Sequence, residues 1–98
     1  MKFLFSSLLM LGLLIGCGDP DVSECSNESV GKTQKRFEAC YRGCMKTDDK
    51  GACAQRTVLA ADLCKASGKI DKSLDIEPCH YACRENFEFA CQLERESR

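Results

Sequence analysis

The chain has 98 residues, enough for one small domain, and nine of them are cysteine, a share far above the average for soluble proteins. Its 14 basic and 15 acidic side chains nearly cancel, and a net charge of −1 offers no basic surface for nucleic acid. Composition therefore argues against a nucleic-acid partner and makes the cysteines the main feature to explain.

The N-terminal segment is typical of an export signal. An apolar run over residues 3–15 follows a basic residue, and Gly16 and Cys17 come directly after it. The run is shorter than the roughly 20 apolar residues that cross a bilayer. A buried N-terminal helix is the alternative, but the run has almost no polar face, and so small a domain could not cover it. We therefore predict that residues 1–16 are a cleaved signal peptide.

The last four residues of this segment, Leu14-Ile15-Gly16-Cys17, resemble the lipobox of bacterial lipoproteins. In that family a small residue precedes a cysteine that receives a diacylglyceryl group before the signal peptide is removed. The resemblance implies that Cys17 is the first mature residue and that its lipid holds the protein in the bilayer. It also implies the outer membrane of the cell envelope, because Gly18 stands where an aspartate would signal retention in the inner membrane.

Residues 17–28 are predicted to form the lipidated N-terminus and a polar tether. The stretch from Gly18 to Asn27 contains Pro20 and three acids, and its apolar residues have no helical period. Cys25 is expected to fasten the end of the tether to the body. Residues 29–98 are predicted to form the folded domain.

The first predicted helix covers about residues 29–46. Apolar residues recur there every three or four positions, which is typical of a helix with one buried face. The predicted buried stripe consists of Val30, Thr33, Phe37, Cys40, Tyr41 and Cys44, and the residues expected to face water are mainly Lys32, Lys35, Arg36, Glu38 and Arg42.

The second predicted helix covers about residues 49–66. Thr47-Asp48-Asp49 supplies turn and N-cap residues before it, and Gly68 is a C-cap signal just past its end. Its predicted buried face contains Cys53, Thr57, Ala60 and Cys64, flanked by Leu59 and Leu63.

The third predicted helix follows a turn, with Asp71 or Ser73 as its N-cap. Pro78 is tolerated only near the start of a helix. Cysteines and a phenylalanine then recur every four residues, so residues 77–95 form one continuous helix or break near Asn86. The acids of this segment are expected at its surface, with Glu88 in solvated ion pairs to Arg84 and Arg95; they are Glu77, Glu85, Glu88 and Glu94.

These elements predict an all-α fold, a small disulfide-rich bundle of about three helices. The large apolar side chains after the signal segment are too few for a core that is stable alone, and disulfides commonly add about 2–4 kcal/mol each. An even number of cysteines in an exported chain is typical of a disulfide framework. The predicted disulfide cysteines are Cys25, Cys40, Cys44, Cys53, Cys64, Cys79, Cys83 and Cys91.

These eight cysteines form a repeat. The pattern Cys25-x14-Cys40-x3-Cys44-x8-Cys53 is followed by Cys64-x14-Cys79-x3-Cys83-x7-Cys91. Three of the four equivalent positions are 39 residues apart and the fourth pair is 38 apart. The spacing predicts a duplicated Cys-x3-Cys helical unit, in which each unit buries its face against the next.

Residues 37–53 and 80–91 resemble the junctions of cysteine-rich Sel1-like repeats, where an Ala-Cys at one helix end is bridged to an Ala-Cys at the start of the next helix. The matching pairs are Ala52-Cys53, Ala82-Cys83 and Ala90-Cys91. The resemblance implies the disulfides Cys44–Cys53 and Cys83–Cys91, and repeat symmetry then favours Cys25–Cys40 and Cys64–Cys79. Cross-pairing of the two Cys-x3-Cys motifs stays an alternative, which a continuous third helix would favour.

Residues that could support catalysis are scarce. His80 is the one histidine, and the sequence has no glycine-rich phosphate loop and no Cys-x-x-Cys motif. We assign no catalytic residue, cofactor or metal ligand and predict that the protein is not an enzyme. The predicted function is that of a lipoprotein anchored through Cys17, a non-catalytic interaction or structural module with an unidentified envelope protein as partner. The alternative is a periplasmic metal or redox carrier that uses Cys-x3-Cys thiols and His80.

Overall fold

The computed structural model describes residues 18–97, which fold into α-helices without a β-strand among them. The predicted all-α, disulfide-rich fold is confirmed. The predicted signal peptide and Cys17 lie outside the described residues. The helices are α1 (Pro20–Cys25), α2 (Gln34–Thr47), α3 (Lys50–Ser67), α4 (Pro78–Arg84) and α5 (Glu88–Glu96), with a short 3-10 helix, Glu28–Val30, between α1 and α2.

The longest helix, α3, lies at the centre of the fold. It packs against α2 and α4, while α1 packs on α2 and α5 packs on α4. Phe37 of α2 and Leu59 of α3 are the largest fully buried side chains, and four cysteines follow them in size. Apolar packing is therefore concentrated where α3 meets its two neighbours.

The duplication in the sequence is also a duplication in the structure. Cys25 ends α1 and Cys64 lies in the last turn of α3, while the two Cys-x3-Cys motifs lie in α2 and α4. Cys53 is the fourth residue of α3, and Cys91 is the fourth residue of α5. The first half of α3 thus closes one unit and its second half opens the next, so the two units share this helix.

The prediction for α3 is the most accurate. The helix begins at Lys50, where the side chain of Asp49 accepts a hydrogen bond from the backbone N–H of Ala52 at 2.9 Å. It ends before Gly68, which has the left-handed φ of 65° expected of a C-cap glycine. Both ends are fixed by residues whose capping role is recognisable in the sequence.

The first predicted helix starts later than expected. Residue 29 was the predicted start, but α2 begins at Gln34, where the Thr33 hydroxyl caps it by accepting from the Arg36 N–H at 3.1 Å. Gly31, with φ of 83° and ψ of −164°, separates α2 from the 3-10 helix. Val30, which was predicted to belong to the buried stripe, therefore lies outside α2 and is 42% exposed.

Part of the predicted tether is folded. Residues 17–28 were expected to be a polar tether without a helix, yet Pro20–Cys25 forms α1. The side chain of Asp19 caps α1 by accepting from the Asp21 N–H at 2.8 Å, and Pro20 occupies the first turn, where proline is well tolerated. Val22 packs so closely on Gly43 of α2 that a Cβ at Gly43 would lie 3.0 Å from a Val22 methyl group. Residues 19–25 therefore belong to the body.

The third predicted helix is two helices, α4 and α5, which confirms the alternative of a break near Asn86. Asn86 has φ of 72°, a left-handed conformation that asparagine adopts more easily than most residues, and α5 begins two residues later. The N-cap of α4 was predicted wrongly. Its N-cap is Glu77, whereas Asp71 caps a local turn by accepting hydrogen bonds from Ser73.

Two charged residues predicted to face water are buried. Arg36 is 5% exposed, and its guanidinium donates to the carbonyl oxygens of Cys25, at 2.7 Å, and Gly31, at 3.2 Å. Glu77 is also 5% exposed, and its carboxylate accepts from the backbone N–H groups of His80 and Asp71. Both side chains satisfy backbone groups at the turns between helices, which hydrophobic periodicity cannot reveal.

We expect the disulfides to contribute unequally to stability. Replacing Cys64 and Cys79 together by alanine opens a buried bridge and leaves a cavity, and should lower the free energy of unfolding by about 3–5 kcal/mol. Replacing the more exposed Cys83 and Cys91 in the same way should cost about 2–3 kcal/mol. Urea unfolding without reductant measures both losses, and an equal or reversed order would contradict the prediction.

Candidate functional site

All eight predicted disulfide cysteines are paired, and the pairs join each helix to the next. The pairing is the one that the Sel1-like resemblance and the repeat symmetry implied, and the two Cys-x3-Cys motifs are not cross-paired. The bonds are Cys25–Cys40, Cys44–Cys53, Cys64–Cys79 and Cys83–Cys91, with Cα–Cα distances of 4.6, 4.7, 4.8 and 4.5 Å.

The structure does not bring the residues of the metal or redox alternative together as free ligands. In each Cys-x3-Cys motif the two sulfurs are bonded to different helices, so neither motif presents a dithiol. Ligand atoms of Cys44, Asp48 and Cys53 lie within 4.8 Å of one another, but the two sulfurs are bonded to each other and are not the thiolates that bind metal.

The one histidine connects the last two helices. His80 of α4 contacts a carboxylate oxygen of Glu94 in α5 through its Nδ1 atom, and both side chains are partly exposed to solvent. Its sequence neighbour Cys79 is bonded to Cys64. The metal or redox alternative needs a free thiol beside His80, whereas the neighbours of His80 are the Glu94 carboxylate and a cysteine that is bonded to Cys64.

A groove of about 250 Å³ lies where α4 faces α2. The tyrosine rings on the two helices, Tyr41 and Tyr81, meet edge to face with their centroids 5.8 Å apart. Tyr81 is 6% exposed, so the groove is lined by a ring that is otherwise enclosed in protein. The lining residues are Tyr41, Asp75, Ile76, Glu77, His80, Tyr81 and Arg84.

Two arginines stack on these tyrosines. The guanidinium of Arg56 lies 5.4 Å from the ring centroid of Tyr41 and 4.9 Å from that of Tyr81, and the guanidinium of Arg84 lies 5.7 Å from Tyr81. At these distances the ring faces attract the cations, at about 0.5–2 kcal/mol each. Arg84 is one of the residues that line the groove, whereas Arg56 is not among them and contacts the groove's two tyrosine rings.

Neither of these arginines has an acidic partner within residues 18–97. Arg42 and Arg95 form ion pairs and Arg36 binds backbone carbonyls, whereas the buried Nε of Arg56 donates to no acceptor among the described residues and Arg84 forms no ion pair there. The exposed guanidinium of Arg84, beside two tyrosines, makes this groove the candidate contact surface for a partner. Tyrosine and arginine, together with tryptophan, are enriched among the residues that contribute most to binding at protein interfaces.

The sequence analysis missed this groove. Tyr41 and Tyr81 are 40 positions apart, and only the packing of α2 and α4 against α3 brings them together. A signal was present, however, because each tyrosine lies within two residues of the first cysteine of its Cys-x3-Cys motif. The predicted ion pair between Glu88 and Arg95 is observed at 2.8 Å, and the one between Glu88 and Arg84 is not.

A second cluster of charges fastens α1 to α2. Asp21 lies 2.8 Å from the Lys46 ammonium and 3.2 Å from the Arg42 guanidinium, and Asp19 lies 3.2 Å from Lys46. Hydrogen bonds from Lys46 and Arg42 lower the pKa of Asp21, and hydrogen bonds to Asp21 and Asp19 raise the pKa of Lys46. The cluster is therefore charged at neutral pH.

Within residues 18–97, no helix has the length and apolar character needed to cross a membrane. Comparison with known proteins found no family, no curated protein and no solved structure that matches the chain.

We expect the charge cluster to make stability depend on pH. Because the pKa of Asp21 is lower in the folded protein than its ordinary value of 3.8, its contribution is present above that value and is lost as the pH falls through the folded pKa. The free energy of unfolding of wild type should exceed that of Asp21→Asn at about pH 6 and approach it at about pH 2. When Lys46→Met is present in both proteins, the difference in free energy of unfolding between Asp21 and Asn at position 21 should be smaller at neutral pH. A difference that is constant with pH would contradict this expectation.

Proposed function

We propose that this protein is a bacterial lipoprotein, held in the outer membrane by lipid on Cys17. Its helical body is a non-catalytic interaction or structural module of the cell envelope. The proposal rests on the lipobox-like residues Leu14-Ile15-Gly16-Cys17, which stand directly at the end of the apolar run. Lipid chains would provide the membrane attachment, since several acyl chains together bind a bilayer stably.

The pairing of the other cysteines is the structural observation that supports this proposal best. Eight of the nine cysteines are used in four disulfides, which leaves Cys17 as the cysteine outside these bonds. Four disulfides in so small a protein are typical of exported chains, because the cytosol keeps thiols reduced. An odd cysteine next to an export signal is readily explained as a lipid attachment site.

The chemistry of the side chains supports the non-catalytic part of the proposal. The cysteines of the body are bonded to one another and cannot act as nucleophiles, so His80 has no cysteine thiol of the body to activate. A rigid, cross-linked body with an unpaired arginine in a tyrosine-lined groove is suited to binding. We place the envelope partner at the groove of Tyr41, Tyr81 and Arg84.

Changing Cys17 tests the anchor. Cys17→Ser should carry no lipid and keep its signal peptide, because serine cannot form the lipid thioether and, in the family that the lipobox resembles, lipid is added before the signal peptide is removed. Gly18→Ala, a change at the next residue outside the lipobox-like tetrapeptide, should stay in the membrane fraction. The intact mass of the mature wild-type protein should begin at Cys17 and include lipid.

A Cys17→Ser protein that is still cleaved before residue 17, or a mature wild-type protein without lipid, would overturn the lipoprotein proposal. The same purified material separates the proposal from the metal or redox alternative. Thiol titration under denaturing, non-reducing conditions should find no free thiol in the mature wild-type chain. Two or more reactive thiols, or bound zinc or copper, would favour the carrier.

Changing the groove tests the contact surface. Arg84→Ala and Tyr41→Ala should abolish chemical cross-links between the protein and its partner in intact cells, because they remove the exposed cation and one wall of the groove. Lys72→Ala, an exposed lysine in the loop between α3 and α4, should preserve them. Circular dichroism checks that the groove variants remain folded. Cross-links that survive both groove variants would place the contact elsewhere.

A further inference from the structure

The predicted lipid attachment site is very close in sequence to the folded body. Gly18 alone separates Cys17 from Asp19, and Asp19 already caps α1. A fully extended chain spans at most about 3.6 Å per residue, so the Cα atoms of Cys17 and Asp19 are at most roughly 7 Å apart. A lipid on Cys17 therefore brings the start of α1 to the level of the lipid headgroups.

The position of α1 on the body is also fixed. Asp21 binds Arg42 and Lys46 of α2 at 3.2 and 2.8 Å, and Asp19 binds Lys46 at 3.2 Å. The disulfide Cys25–Cys40 joins the other end of α1 to the same helix. Because α1 cannot swing away from α2, an anchor at its start restricts the orientation of the whole body.

We propose that the protein docks on the headgroup layer of the membrane that holds its lipid, through one face of the body. This docking face consists of Asp19, Asp21, Arg42, Met45 and Lys46. The inference rests on the proposed function, since it requires lipid on Cys17, but it adds a contact that a lipid anchor alone does not require.

The charges of the docking face indicate what kind of lipid surface it fits. Its two acids and two bases pair with one another and sum to zero. The face is thus neither drawn to anionic lipids nor repelled by them. A layer of zwitterionic headgroups is the partner that it fits, and neither anionic lipid nor low salt is needed.

Met45 provides the apolar contact of the docking face. It is 66% exposed, the highest value among the large apolar side chains that are exposed in residues 18–97. Arg42 lies three residues before Met45 and four before Lys46, so the side chains of Met45 and Lys46 are both neighbours of Arg42 on the surface of α2. A thioether at this depth gains free energy by leaving water for the boundary between headgroups and acyl chains.

Met45 is also the reporter for the test, because the other methionines, Met1 and Met10, belong to the predicted signal peptide. The mature lipidated protein is reconstituted in phosphatidylcholine vesicles and treated with hydrogen peroxide, and mass spectrometry follows sulfoxide formation at Met45. Oxidation should be about threefold slower or more than in a soluble, lipid-free chain of residues 18–98, because bilayer contact covers the side chain.

The matched control is a chain with ten glycine and serine residues inserted between Gly18 and Asp19. It keeps the lipid site and the body but removes the distance limit, so Met45 should be oxidised at the rate of the soluble protein while the variant remains bound to vesicles. Adding anionic lipid or salt should leave the protection of the wild-type protein unchanged.

The failures of the two proposals are distinguishable. Wild-type protein that carries lipid and binds vesicles, yet is oxidised as fast as the insertion variant, would overturn the docking face and leave the anchor intact. Protection that appears only with anionic lipid would overturn the neutral docking face. Wild-type protein that carries no lipid would overturn the proposed function, and the docking face with it.

Discussion

Each helix of the body is joined to the next by one disulfide, and this succession of bonds is the constraint on which the rest of the fold depends. After Phe37 and Leu59, the largest fully buried residues are Cys25, Cys40, Cys64 and Cys79, so cystine sulfur takes the place of aliphatic side chains in the core. The short helices α1 and α4, of 6 and 7 residues, are too short to be stable alone in water, and packing and covalent bonds hold them. Buried polar side chains add hydrogen bonds at the turns between these helices.

These hydrogen bonds lie at the two long connections of the repeat, from α1 to α2 and from α3 to α4. Arg36 binds backbone carbonyls beside the Cys25–Cys40 bond, and Glu77 binds backbone N–H groups beside the Cys64–Cys79 bond. A buried charge is costly unless it is fully hydrogen-bonded, and each of these has two backbone partners. Residues of opposite charge thus perform the same task in the two units, because one connection leaves carbonyl oxygens to satisfy and the other leaves N–H groups.

The sequence predicts the features that depend on local spacing and misses those that depend on contacts between distant residues. The 39-residue offset gives the duplicated unit, and Asp49 and Gly68 mark both ends of α3, because caps act on neighbouring residues. The six residues of α1 have no period to detect, and the residues that hold it, Cys40, Arg42 and Lys46, lie 15 or more positions later in the chain. The groove requires Tyr41, Arg56 and Tyr81 to meet, which three separate helices must bring about.

The sharing of α3 by both units has a consequence for how such a chain can change in length. With 18 residues, α3 is twice as long as α5, which has 9 and matches only its first half. A further unit would therefore begin by extending α5 to the length of α3, with a cysteine in the new last turn as Cys64 is in α3. Growth by a whole unit would leave the existing disulfides and turns unaltered, whereas an insertion within α3 would rotate Cys64 about the helix axis relative to Cys53 and disturb both units at once. Added residues are therefore tolerated at the end of α5 but disturb the fold within α3, which both units share.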